Sequence, residues 1–200
     1  MKLPPLTEAR LKEAGIGVFF RPRDLKLLGI SFRVLQQLVS TGAVQKSGPG
    51  LYRLAATKPT EFETIAMACS MAPRSIVCLL SALRVHGIGT QTPHEVWLAL
   101  DRKARKPVRL GTKVRIVRFS RAMLTYGVLT RPILGVPVRI TSPARTIVDC
   151  FRYRHKLGLD VAIEALRDGV RSRAASVDEI VRAADVCRAR TVIKPYLEAR

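Results

Sequence analysis

The chain has 200 residues, 48% of them apolar and 25% charged, which suits one or two folded domains and excludes an intrinsically disordered chain. Its charge is lopsided: 35 Lys and Arg stand against 15 Asp and Glu, a formal net charge of +20 with an isoelectric point near 11.0. A field of that sign favours polyanions, nucleic acid foremost, although an arginine-rich bacterial proteome would produce the same total without functional meaning.

The start, Met1-Lys2-Leu3-Pro4-Pro5, has no apolar core of a signal peptide, and no apolar run nears the ~20 residues that span a bilayer. A soluble, cytoplasmic bacterial protein with no membrane partner is expected. A first helix covers 7–14 and stops at Gly15, and Val18-Phe19-Phe20 reads as a brief extended segment. Pro22 opens a second helix that Gly29 ends, and Ser31 caps a third, FRVLQQLVST, which stops at Gly42. Two short helices joined by Gly29-Ile30-Ser31 outline a helix-turn-helix. The β-prone runs 43–46 and 51–54 then flank the turn Ser47-Gly48-Pro49-Gly50, a hairpin placed where a wing would be. Residues 1–57 are therefore expected to form a winged helix-turn-helix that binds double-stranded DNA.

Beyond the short linker 55–59 the pattern changes. Thr60 with Glu63 reads as a capping box opening a helix through Met71, and IVCLLSALRVH reads as another, ended by Gly87. Strand-like runs follow at 95–100, 114–119, 128–134 and 136–140, the last two separated by Gly135 as in a tight hairpin. Ser142-Pro143 launches a helix over ARTIVDCFRYR, residues 160–170 carry a helical apolar stripe, and Ser176 with Glu179 forms a second capping box. A last segment, 192–197, is interrupted by Pro195. The fold class is thus α+β. A winged helix-turn-helix is followed, over 58–200, by a mixed α+β domain with a small antiparallel sheet, C-terminal helices and a basic loop at 103–106.

At 100° per residue, Leu35, Leu38, Val39 and Gly42 share one face of the third helix, the face that must pack on its neighbours. Arg33, Gln37 and Ser40 lie opposite, with Gln36 at the edge. These are residue types that read bases: Arg pairs with guanine, Gln with adenine, and Ser with a base or phosphate. Arg21, Arg23, Lys46 and Arg53 surround this face and suit phosphates, which position a protein on DNA without supplying sequence information.

Enzyme chemistry is sparse, and neither catalytic residues nor a cofactor are expected. His86, His94 and His155 are far apart, His86 reading as a polar cap before Gly87. There is no P-loop, no G-x-G-x-x-G after a strand, no G-x-S-x-G and no Glu-x-Lys following an upstream Asp. Cys69, Cys78, Cys150 and Cys187 lack C-x-x-C spacing and have no His at ligand spacing, which argues against a metal site. Cys78 and Cys150 sit in apolar runs and read as buried, reduced thiols. Asp149 and Asp168 read as ion-pair partners for nearby Arg, and Trp97 as core.

The segment LGISFRVLQQLVSTGAVQKSGPGLYRL resembles the N-terminal winged helix of the AbiEi family of antitoxins, from abortive-infection, type IV-like toxin–antitoxin systems. The resemblance continues through CLLSALRVHGI, TQTPHEVWLAL, RIVRFS, GVPVRITSPARTIVDCFRYRHKLGLDVAIEALRD and IKPYLEA, nearly the whole chain. It implies an autorepressor whose winged helix binds repeats in its own promoter, through Arg33, Gln36, Gln37 and Ser40 with Lys46 and Arg53 on the wing. It further implies a second domain that neutralises a nucleotidyltransferase-like toxin, and says nothing of which residues touch that toxin. Phe32 departs from the basic or polar residue expected at its position and is expected instead to staple the helix to the core. Two other readings compete: a stand-alone winged-helix regulator whose second domain senses a ligand or protein, and a nuclease guided by the winged helix. The missing Glu-x-Lys and the lack of clustered carboxylates make the nuclease the weakest.

Overall fold

Ser31, Ser142 and Ser176 each start a helix in the computed structural model, which describes residues 6–58, 60–107 and 110–198. Their hydroxyls accept the N–H groups of Val34 (3.4 Å), Arg145 (3.4 Å) and Glu179 (3.2 Å), satisfying first-turn donors that have no partner within the helix. The protein is α+β, with a three-stranded antiparallel sheet, a five-stranded mixed sheet and helices. It divides into two units. The first takes the described residues of Met1–Pro73, Pro107–Thr112 and Arg131–Val138; the second takes those of Arg74–Lys106, Lys113–Thr130 and Arg139–Arg200. Residues 6–57 thus belong to a larger unit that draws on later parts of the chain.

In the first unit, α1 (Glu8–Glu13) precedes β1 (Phe19–Phe20) and α2 (Pro22–Leu25), which tightens into a 3-10 turn (Lys26–Leu28). Gly29, at φ 67°, takes the left-handed conformation that ends this turn and admits α3 (Phe32–Ser40). The hairpin β2 (Val44–Gly48) and β3 (Leu51–Leu54) follows, then α4 (Glu63–Met71). β1 adds to the hairpin, giving the order β1-β3-β2 with Phe20 opposite Tyr52 and Val44 opposite Leu54. Leu11, Phe20, Leu25, Ile30, Leu35, Val44, Tyr52 and Leu54 form the core. Each of its large side chains contributes about 1.5–3 kcal/mol by leaving water.

The expected Thr60–Glu63 capping box is absent. Phe62 occupies the N-cap without a side-chain bond, and Glu63 N–H reaches only the Thr60 carbonyl at 3.1 Å, as in a turn. The Glu63 carboxylate is instead paired with Arg53.

Another close approach lies within this unit. Val18 N–H donates to the Leu134 carbonyl at 2.9 Å, and a Cβ on Gly135 would fall 2.2 Å from the Gly17 Cα.

The second unit holds β4 (Ile76–Val77), α5 (Leu79–His86), β5 (Val96–Asp101), β6 (Val114–Phe119) and a 3-10 turn (Ala122–Leu124). The residues of β7 (Val128–Ile133) up to Thr130 and those of β8 (Val136–Thr141) from Arg139 follow, then α6 (Pro143–Arg152), α7 (Arg154–Leu157), α8 (Leu159–Arg171), α9 (Val177–Val186) and α10 (Arg190–Glu198). The strand order is β6-β5-β4-β8-β7.

Three expectations are corrected here. The sheet is mixed rather than small and antiparallel: β5 runs parallel to β6, and β4 runs antiparallel to β5 but parallel to β8. The connection 102–113 supplies the dozen residues that a parallel pairing requires. Ile76 and Val77 are strand, not helix, because Val77 pairs with both Leu98 and Ile140; in so short an apolar run, periodicity does not separate the two. α10 runs through Pro195 rather than breaking there. Ile193 is fully buried and the Tyr196 ring lies 5.1 Å from that of Phe151, so packing offsets the missing N–H bond.

α6 is the centre of this unit. Its residues Ala144 to Phe151 are all buried, against α5, α8, α9 and α10. Leu79, Trp97, Phe119, Leu166, Ile180 and Ile193 complete the core, so the placement of Trp97 is as expected.

Candidate nucleic-acid interface

α3 presents two exposed rows, each spaced by four residues. Phe32, Gln36 and Ser40 make one, and Arg33, Gln37 and Thr41 the other. Leu35 is buried beneath them, with Val34, Leu38 and Val39 half-buried against the core. The four residues expected to read bases are therefore together on the solvent face of one helix.

Their capacities differ. Arg33, Gln36 and Gln37 end in exposed polar groups. The Ser40 hydroxyl donates to the Gln37 carbonyl at 2.9 Å, which leaves it able to accept but not to donate. Thr41 Oγ1 likewise donates to the Gln37 carbonyl, at 3.1 Å.

The four expected phosphate cations divide evenly. Arg23 is 76% exposed, with one ion-pair contact at 3.5 Å to Asp24, and Lys46 is exposed on β2. Arg21 and Arg53 are turned inward, which corrects the expectation for both. The Arg21 guanidinium donates to the Ser70 carbonyl while its backbone N–H donates to Asp24 Oδ2 at 2.7 Å. The Arg53 guanidinium meets the Glu63 carboxylate and the Thr57 and Leu54 carbonyls, in surroundings that leave only 11% of its side chain exposed. Both sit where the three-stranded sheet meets flanking chain whose carbonyls need donors, a demand invisible without the fold.

Phe32 also departs from expectation. It does not staple α3 to the core but is 59% exposed, and Leu27 on the preceding turn is 78% exposed. Two features of this face escaped the sequence reading. Lys26 is a further exposed cation on the 3-10 turn, and residues 25–60 contain no Asp or Glu at all. The second needed only a search for missing charges. Most of the basic excess nevertheless lies beyond residue 57, so net charge alone does not single out α3.

In the second unit the basic loop is held by its own carbonyls. Arg118 donates to the Asp101 and Ala104 carbonyls at 2.8 and 2.7 Å, and Lys103 N–H donates to Asp101 Oδ1 at 2.7 Å. The expected ion pairs of Asp149 and Asp168 are present, Asp149 with Arg145 at 2.8 Å and Asp168 with Arg171 at 2.5 Å. The Arg145–Asp149 pair is wholly buried, and Arg145 also donates to the Tyr126 and Met123 carbonyls at 2.7 and 3.3 Å. Among the described residues, Asp149 Oδ1 has no hydrogen-bond partner. Burial raises the Asp149 carboxyl to about 6, with the Arg145 charge and hydrogen bond opposing.

Burial also pushes the Cys78 and Cys150 thiols up, so these read as packing groups rather than nucleophiles. All four cysteines are buried and none is in a disulfide among the described residues, as expected for Cys78 and Cys150. His86 Nε2 lies 2.7 Å from the Thr141 carbonyl on β8. Among the described residues, no three His, Cys, Asp or Glu side chains converge as a metal site, and no helix is long and apolar enough to cross a membrane.

No protein-family model and no curated protein matches the chain. Among solved structures, it is similar to the crystal structure of the RV2827C protein from Mycobacterium tuberculosis. The TM-score is 0.61 at 16% sequence identity, over 89% of this chain and 68% of that one. At that identity the likeness concerns the fold alone.

Proposed function

We propose that the first unit carries a winged helix-turn-helix that binds double-stranded DNA, and that the chain is an autorepressing antitoxin of the AbiEi type. The observation that carries the DNA-binding step is the exposed face of α3, where Arg33, Gln36 and Gln37 stand together in a stretch without carboxylates. The order α1-β1-α2-α3-β2-β3, with β1 adding to the β2–β3 hairpin, supports the winged-helix reading. α3 would enter the major groove with its first turns on base edges, and Lys46 and Arg23 would meet phosphates on either side. The antitoxin step rests on the sequence resemblance, with a nucleotidyltransferase-like toxin as partner and no enzymatic activity of its own.

The test uses the full chain and DNA from upstream of its own gene, in a gel-shift titration. Retarded mobility is expected for the wild type, with loss of site preference in the Arg33→Ala, Gln36→Ala double variant. Equal binding by both to specific and random duplexes would remove the base-reading role of α3. Co-expression with a neighbouring nucleotidyltransferase-like gene separates the second step: growth rescue that survives the double variant supports neutralisation apart from DNA binding. A neighbourhood without such a gene favours a stand-alone regulator.

A further inference from the structure

We infer that Phe32 reads a pyrimidine 5-methyl group in the major groove, next to the base edge met by Gln36; this rests on the DNA-binding reading of α3. Phe32 is the first residue of α3 and is 59% exposed. It is absent from the apolar groups that pack against the first unit's core, among the described residues. It stands one turn ahead of Gln36 and two ahead of Ser40, so an apolar ring heads an otherwise polar row.

What covers the ring is indicated by its neighbours. Arg33 adjoins it in sequence, Lys26 and Arg23 lie on the preceding helix and turn, and no carboxylate occurs between residues 25 and 60. A partner that buries this ring must sit beside the exposed cations Arg33 and Lys26, with Arg23 shared with Asp24, which favours a polyanion over an apolar protein face. First-turn residues of a helix in the major groove meet base edges, and the apolar group displayed there is the thymine C5-methyl. 5-Methylcytosine carries the same group at the same ring position.

The experiment takes a duplex selected in vitro by the full-length chain and replaces each thymine in turn with deoxyuridine, which removes only the methyl. Wild type is expected to lose about fourfold in affinity at one position, the factor set by one buried methyl-sized group. The Phe32→Ala variant is expected to bind the thymine and uracil duplexes alike. A parallel set methylated at cytosine C5 identifies the other source: tightening in the wild type, absent in Phe32→Ala, assigns the methyl to 5-methylcytosine. Insensitivity of the wild type to every methyl change, while Arg33→Ala still loses site preference, overturns this inference and leaves the DNA reading intact. A change of oligomeric state in Phe32→Ala overturns it too, assigning the ring to a second copy of the chain. If the wild type selects no duplex, the DNA reading fails and this one with it.

Discussion

The Arg53 guanidinium is paired with the Glu63 carboxylate, joining β3 to the start of α4 with only 11% and 18% of the two side chains exposed. A cation that the strand pattern places on a wing is thereby turned to a structural task. Arg53→Ala leaves Glu63 without its cation and should cost about 2 kcal/mol of stability. DNA binding at constant folded fraction should keep its salt dependence. Urea unfolding and a salt titration check both, and a flattened salt slope with unchanged stability would return Arg53 to the phosphate contacts.

Arg33 and Lys46 should separate by the kind of loss. Arg33→Ala removes a base contact and is expected to cost ~1–3 kcal/mol on the specific site while relaxing its sequence preference. Lys46→Ala removes a phosphate contact, weakening binding to all sequences about equally and reducing the salt slope by about one. Fluorescence anisotropy with specific and random duplexes at several salt concentrations distinguishes the two.

Asp149 sets a pH dependence of stability in the second unit. Its folded pKa of about 6 lies above its ordinary 3.8, so between those values the folded chain holds a proton that the unfolded chain has lost. The contribution of this group is fully present below the ordinary value and is lost as pH rises through about 6. Asp168 and Glu179 act in the opposite sense. Hydrogen bonds from Gly89 and Arg171 to the first, and from Ser176 to the second, lower their pKa values, and what they contribute is lost as pH falls. Asp149→Asn removes only the first dependence. Wild-type stability minus that of this variant should fall by about 2 kcal/mol from pH 4 to pH 7. A gap that stays constant across that range would mean Asp149 does not titrate there.

Gly17 and Gly135 meet backbone to backbone within the first unit. Gly135 has φ 77°, and its Cβ would land 2.2 Å from the Gly17 Cα; a Cβ on Gly17 would lie 2.6 Å from the Leu134 oxygen. Gly135→Ala should destabilise by about 2 kcal/mol or more, through both strain and collision, and Gly17→Ala through collision alone. Thermal unfolding of each variant and of the double variant checks this. Single effects that do not add would locate both at one contact.

Much of the architecture was legible because it is written in local chemistry. Ser31, Ser142 and Ser176 cap helices through bonds that reach three residues along the chain, and Gly29 and Gly135 adopt conformations that side chains disfavour. The polar face of α3 follows from the same periodicity. What failed was long-range. Arg21 and Arg53 carry the charge expected of phosphate contacts, but Ser70 and Glu63, dozens and ten residues away, claim their guanidiniums. Phe32 looked like a core residue by type, yet the core beneath α3 is filled by Leu35 and its neighbours, leaving the ring in solvent.

By itself the sequence determined the helix starts and stops, the apolar and polar faces of α3 and the total charge, all quantities set by spacing along the chain. Only the tertiary structure decided which strands run parallel, that Ile76 and Val77 are strand, and which cations remain free. Those outcomes depend on pairings between distant segments: a backbone or guanidinium group takes whichever partner folding brings within reach, and residue spacing carries no record of that partner.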